Sequence, residues 1–165
     1  MKLIDYIVFF LLLLVAMSLA SFAPSNYKLE GKATKHLSKY YQGDVMIVEN
    51  TIEGIDGTMY DILGTSDRLF IGYARSKFET FDYMVLFDSG YTIKLVRVLV
   101  YRENYGGEVG STRWLSKWIG VNKPKPFVDA ISGATISVNS LKWSINSLLS
   151  RVRGGGGAVS PHRTK

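Results

Sequence analysis

Thr92-Ile93-Lys94-Leu95-Val96-Arg97-Val98-Leu99-Val100-Tyr101 opens with alternating polar and apolar side chains and closes almost wholly apolar, rich in β-branched residues. A strand with this pattern is covered on both faces, which predicts a central place in a sheet. Upstream, Val45 to Thr51, Met59 to Leu63, Leu69 to Arg75 and Tyr83 to Phe87 read as four further strands. Gly54, Gly57, Gly64, Gly72 and Gly90 fall between or inside them, and Asp56-Gly57 and Ser89-Gly90 are turn signals. Strands in close succession with short connections predict a twisted, largely antiparallel sheet.

Downstream, Arg102 to Gly110 has the glycine density of a loop whose backbone approaches something closely. Ser111 is placed to cap a short helix from Thr112 to Ile119, with Trp114, Leu115, Trp118 and Ile119 as its apolar face. Pro124 and Pro126 hold the next segment extended. Ser137 to Val152 then sets Val138, Leu141, Ile145, Leu148, Leu149 and Val152 at helical spacing, so this helix is expected to lie on the sheet. Arg151 and Arg153 suit its C-terminal end, and the glycines from Gly154 stop it. The fold class is α+β, with one domain over 45–152.

Before that domain, Ile7 to Ala20 is apolar except for Ser18 and continues through Phe22 and Ala23, so residues 1–23 read as a signal or membrane-anchor segment. Ser18-Leu19-Ala20 offers the small residues a signal peptidase reads, while a comfortable span needs about 20 residues, so cleavage and retention both fit. Residues 24–44 form a linker, Pro24 to Lys28, and a short helix, Gly31 to Tyr41; residues 153–165 read as a flexible tail. Lys28, Lys32, Lys35 and Lys39 fall on one side of the short helix, a pattern suited to solvent or a membrane surface. By the positive-inside rule these lysines would keep the body in the cytoplasm.

A net charge of +6 spread thinly, with no basic groove motif, argues against nucleic acid as a partner. The absence of cysteine excludes disulfides, thiolate metal sites, iron–sulfur clusters and a cysteine nucleophile. His36 and His162, without an HExxH-like partner, read as surface residues rather than metal ligands.

One run remains: Asp129-Ala130-Ile131-Ser132-Gly133-Ala134-Thr135-Ile136-Ser137, directly before the helix. A helix start presents unpaired N–H groups and partial positive charge, and small residues let an anion come close, so the chemistry suits a phosphate. On spacing alone, Ser132, Thr135 and Ser137 serve equally as ordinary caps, and Asp129 as the end of an extended segment. Walker, G-x-G-x-x-G and G-x-S-x-G sequences are absent.

Asp129 to Thr135 resembles the flavinylation motif D-x-x-[ST]-G-A-[ST] of the FMN-binding domain family. That family includes subunits of the Rnf and sodium-translocating NADH:quinone oxidoreductase complexes. The loop Glu103-Asn104-Tyr105-Gly106-Gly107-Glu108 is similar to the glycine-containing loop preceding the motif in these domains, although Asn104 and Tyr105 stand where the family often has Thr and Pro. The resemblance implies that Thr135 is the acceptor on which an ApbE-type flavin transferase, using FAD and magnesium, builds a phosphodiester to FMN. It makes Ser132, Gly133, Ala134, Ser137 and Glu103 the cofactor-side residues, and Asp129 with Ser132, Gly133 and Ala134 the features the transferase reads. Tyr101, Tyr105, Trp114 and Trp118 are the aromatic candidates for shielding the ring, although each taken singly fits a core role better; Glu103 is either a ring-side contact or a loop carboxylate.

The expected function is a membrane-associated or exported bacterial flavoprotein, on the periplasmic or extracellular side, that passes electrons between redox protein partners, within or outside a multisubunit complex. A flavin-dependent reductase with its own acceptor, and a non-redox exported binding domain, are the rival readings.

Overall fold

The computed structural model of the chain describes residues 27–50, 54–125 and 133–154. The leader, the linker up to residue 26, the tail from residue 155, and both Asp129 and Ser132 lie outside the described residues. None of the described helices is long and apolar enough to cross a membrane.

Helix α1, Tyr27–Tyr41, begins four residues before the expected Gly31. Leu29, Ala33, Leu37 and Tyr41 recur at every fourth position, and this stripe lies against the sheet with Ala33 and Leu37 buried. Five strands follow: β1 Ile47–Asn50, β2 Gly57–Ile62, β3 Arg68–Arg75, β4 Thr80–Phe87 and β5 Ile93–Val100. They pair antiparallel in sequence order, β1-β2-β3-β4-β5, with bulges between β4 and β5 at Asp82/Tyr83 and Leu86/Phe87. The predicted strands all form, and the α+β class holds.

The expectation that Thr92 to Tyr101 is central fails: β5 is the last strand. Its apolar content has another cause. Ile93, Val96 and Val98 belong to the core on one face of the sheet, and Leu95, Leu99 and Val100 to the core on the other. Its outer edge is occupied as well, because Ile93 N–H donates to Val121 O and Gly120 N–H to Ile93 O. A both-faces-covered strand reads the same in sequence wherever it sits in the order.

Inside the sheet, Gly72 on β3 faces Gly57 on β2, and the Phe70 ring fills the space between. A Cβ at Gly72 would stand 2.4 Å from that ring, so only glycine fits.

After β5 come a 3-10 turn, Gly107–Gly110, helix α2, Thr112–Leu115, and a second 3-10 turn, Ser116–Trp118. The expected helix to Ile119 is thus split, and Ser111 provides no side-chain cap. Helix α3, Thr135–Arg153, closes the same face; Val138, Leu141, Ile145, Leu148 and Leu149 are buried with Trp114 and Trp118. Each such side chain contributes about 1.5–3 kcal/mol by burial. The sheet therefore separates two cores, one under α1 and one under α3.

On the α1 side, Asp67 is buried, pairs with Lys94 and accepts a hydrogen bond from Tyr41 Oη, pinning the end of α1 to the sheet. The hydrogen bond to Asp67 raises the Lys94 pKa. His36, expected at the surface, is half-buried on α1, and burial followed by the neighbouring Arg97 lowers its pKa.

Candidate functional site

Helix α3 starts at Thr135, two residues earlier than its apolar stripe indicates. Ala134 is the N-cap residue, and among the described residues no side chain caps the helix. The ordinary-cap reading of Thr135 and Ser137 is therefore not realised, and the first N–H groups of this 19-residue helix have no side-chain acceptor among the described residues. Gly133, at φ 85°, delivers the chain to this point with open space around its Cα.

The two hydroxyls of the first turn differ sharply. Thr135 is exposed, whereas Ser137 is 3% exposed and lies 2.9 Å from Tyr101 Oη. Tyr101 Oη donates its only proton to Tyr105 O at 2.7 Å, so the Ser137 hydroxyl is the donor of the pair. Ser137 is a structural tie between α3 and the loop after β5, and Thr135 is the hydroxyl open to a reagent.

That loop is drawn in close. Gly106, buried and at φ 79°, leaves no room for a side chain, since a Cβ would stand 2.7 Å from Tyr101 Oη and 3.2 Å from Ser137 Oγ. At the start of the loop, Arg102 pairs with the buried Asp82 and donates to Thr80 O, fixing the chain to the beginning of β4. Glu103 Oε1 accepts three hydrogen bonds, from the Ser76 hydroxyl and from the Phe78 and Glu79 N–H groups. The Ser76 bond, with the two N–H groups behind it, holds the carboxyl below the usual glutamate range. Of the two readings of Glu103, the loop carboxylate is the one realised by this oxygen; it locks the β3–β4 turn, and with it Lys77 and Phe78, beside the helix start.

Between these parts lies an open cleft of about 220 Å³ lined by Lys77, Glu103, Tyr105, Gly106 and Gly133 through Ser137. Trp114 and Trp118, candidates for shielding a ring, are buried in the α3 core, edge to face at 6.5 Å, and do not line it. Tyr101 is half-buried with its ring against Phe81, while Tyr105, 79% exposed, stands at the cleft. Lys77 and Ile136 were not singled out from the sequence. Lys77 reaches the cleft only because Glu103, distant in sequence, fixes its turn, and no local pattern marks that.

An uncapped helix start, a glycine-walled approach, a nearby lysine and one exposed hydroxyl define an α+β domain suited to a phosphate-bearing ligand. Residues 79–150, from just before β4 into α3, match the model of the FMN-binding domain family. Over these residues the chain is similar to FMN-binding domains, and the resemblance read from Asp129 to Thr135 holds at the level of the family. No curated protein matches the chain. The donor set fits the phosphate of FMN: Thr135 and the first-turn N–H groups at the helix start, with Lys77 lining the same cleft.

Proposed function

We propose that this protein carries FMN covalently, through a phosphodiester on Thr135 Oγ, and works as an electron carrier between redox proteins. The observation that supports this most is the contrast within one helical turn: Thr135 exposed at an uncapped helix start, Ser137 buried and bonded to Tyr101. In the attachment, Thr135 Oγ forms the bond to the FMN phosphorus of FAD, the pyrophosphate bond breaks, AMP leaves, and the hydroxyl proton goes to solvent or to the transferase. Asp129 and Ser132, with Gly133 and Ala134, are the part of the chain that an ApbE-type transferase would read.

When bound, FMN supplies reversible uptake and release of electrons. The chain's own residues hold and orient it. The first-turn N–H groups of α3 and Lys77 balance the phosphodiester charge, Gly133 gives the phosphate room, and Ile136 and Tyr105 offer apolar surface beside it. A cleft of about 220 Å³ is smaller than the roughly 300–1,000 Å³ of sites that enclose a ligand, so the ring would stay partly open to solvent. Openness of that kind favours handing electrons on over sequestered chemistry on a bound substrate. The apolar leader supports export or anchoring at a bacterial membrane, and the family resemblance, because transferases of this type act outside the cytoplasm, favours the outer side over the cytoplasmic placement the following lysines would give.

Produced with a flavin transferase and exported, the wild-type chain is expected to retain yellow, fluorescent flavin through denaturing electrophoresis, and Thr135→Val to retain none. Flavin lost with Ser137→Ala but kept with Thr135→Val would move the acceptor to Ser137. Flavin on neither wild type nor variant would favour the non-redox binding domain.

A further inference from the structure

Helix α1 turns a row of cations away from the sheet. Lys28, Lys32, Lys35 and Lys39 recur at four-, three- and four-residue spacing, and the stripe of Leu29, Ala33 and Leu37 that packs on the sheet lies on the far side of the helix. Lys28, Lys35 and Lys39 are exposed, while Lys32 is half-buried and sends its ammonium to Leu99 O at 3.5 Å. No acidic residue interrupts the row. From Gly31 to Gly43 the sequence has none, and the one acid of the helix, Glu30, is turned toward the sheet, where it accepts a hydrogen bond from Tyr60 Oη at 2.9 Å. Arg97, close enough to His36 to act on its charge, adds a further cation along the flank of the helix. From Lys28 to Lys39 the row covers about 16 Å of the helix axis, so it is a strip of charge and not a point.

The chain itself sets what lies next to this strip. Only Pro24, Ser25 and Asn26 separate the apolar leader, which ends at Ala23, from Tyr27 at the start of α1. Fully extended, that connection reaches about 14 Å, so a leader held in a bilayer keeps α1 close to the headgroups. We propose that α1 lies flat on an anionic lipid bilayer, with its lysine row against the headgroup phosphates. The inference rests on the membrane reading of the leader and goes further by fixing which way the domain faces. Helix α1 starts at the end of the sheet where Thr135 stands: Lys32 meets Leu99 near the end of β5, and Tyr101, two residues on, meets Ser137. An upright α1 would therefore bring Thr135 down to the lipid. A charged strip along the whole helix favours the flat posture, since only that posture brings Lys39 as near the headgroups as Lys28, within reach of a potential that fades over a screening length. The sheet then stands between the bilayer and the Thr135 cleft. A flavin on Thr135 accordingly exchanges electrons with a partner in the aqueous phase.

The full-length, flavin-loaded chain is reconstituted into nanodiscs of phosphatidylcholine, with and without phosphatidylglycerol, and labelled with the uncharged reagent N-hydroxysuccinimidyl acetate. Mass spectrometry then reads each lysine against itself in the two bilayers, so any shielding of Lys77 by the flavin cancels. With phosphatidylglycerol present, labelling of Lys28, Lys35 and Lys39 is expected to slow about threefold or more at low salt, and to recover at about 1 M salt, where the screening length falls to about 3 Å. Lys77 at the Thr135 cleft and Lys125 beside α3 should label alike in both bilayers. Lys35→Glu combined with Lys39→Glu should remove most of the slowing at Lys28. Quenching of the flavin fluorescence by acrylamide should be the same in both bilayers. Equal labelling of the three α1 lysines in both bilayers overturns the docking and gives the row to solvent or to an acidic protein. Slowing at Lys77 with Lys39 unaffected overturns the flat posture. A chain that does not associate with phosphatidylcholine nanodiscs refutes the leader reading; flotation with phosphatidylglycerol vesicles, lost in the doubly substituted chain, then upholds the docking by itself, and failure to float overturns it. If the chain carries no flavin, the Thr135 reading fails while the lysine labelling still decides the docking.

Discussion

Glu103 joins two loops with one oxygen, and its chemistry fixes how the site responds to acid. Its folded-state pKa is depressed by the Ser76 hydroxyl first, then by the Phe78 and Glu79 N–H groups. A depressed carboxyl contributes stability above the unfolded glutamate pKa, about 4.3, and loses it as pH falls through the lower folded value. Amide exchange at Phe78 and Glu79, corrected for intrinsic rates, is therefore expected to stay slow down to about pH 4 and to rise below it. Glu103→Ala should bring fast exchange at neutral pH at those two amides while leaving β5 protected. An unchanged exchange rate would mean that the turn holds itself without the carboxylate. From the sequence, Glu103 could be read as a loop carboxylate or as a ring contact, but its partners lie more than twenty residues upstream. No local spacing encodes a bond across that distance. Thr135, by contrast, was legible because the small-residue run and the helix start are contiguous.

Helix α3 and the loop that meets it show where periodicity stops informing. The apolar stripe starts at Val138, so the pattern marks the helix from Ser137 and misses a first turn whose exposed residues Thr135 and Ile136 face outward. The missed turn is the one that carries the chemistry. Similarly, the apolar content of β5 reports two covered faces and says nothing of its position in the sheet. Gly106 and Leu141 test the two sides of this junction. Gly106→Ala puts a Cβ against Tyr101 Oη at a left-handed φ and is expected to cost about 1–3 kcal/mol in urea unfolding. It should also lower flavin loading, because the Ser137–Tyr101–Tyr105 tie moves with it. Leu141→Ala, in the core beneath the same helix, is expected to cost about 2–5 kcal/mol, with flavin still attached to whatever fraction is folded. Equal losses of loading from both variants, scaled to stability, would show that Gly106 has no particular part in the site.

At the scale of the whole molecule, the sheet divides labour between its faces. Helix α1 with exposed Lys28, Lys35 and Lys39 covers one face; α3, Thr135 and its cleft belong to the other. Replacing those three lysines by glutamate should therefore leave the flavin content of the purified chain unchanged, measured by absorbance against protein concentration; a large loss would place α1 within reach of the site. The family match begins at residue 79, so α1 through β3 lie outside it. The account stands on Thr135 as the point of attachment. The most direct test is tandem mass spectrometry of the tryptic peptide from Trp118 to Lys142 of chain produced with a flavin transferase. The predicted result is one added FMN, less one water, with fragment ions fixing it on Thr135; an unmodified peptide, or the same mass on Ser132 or Ser137, would contradict it.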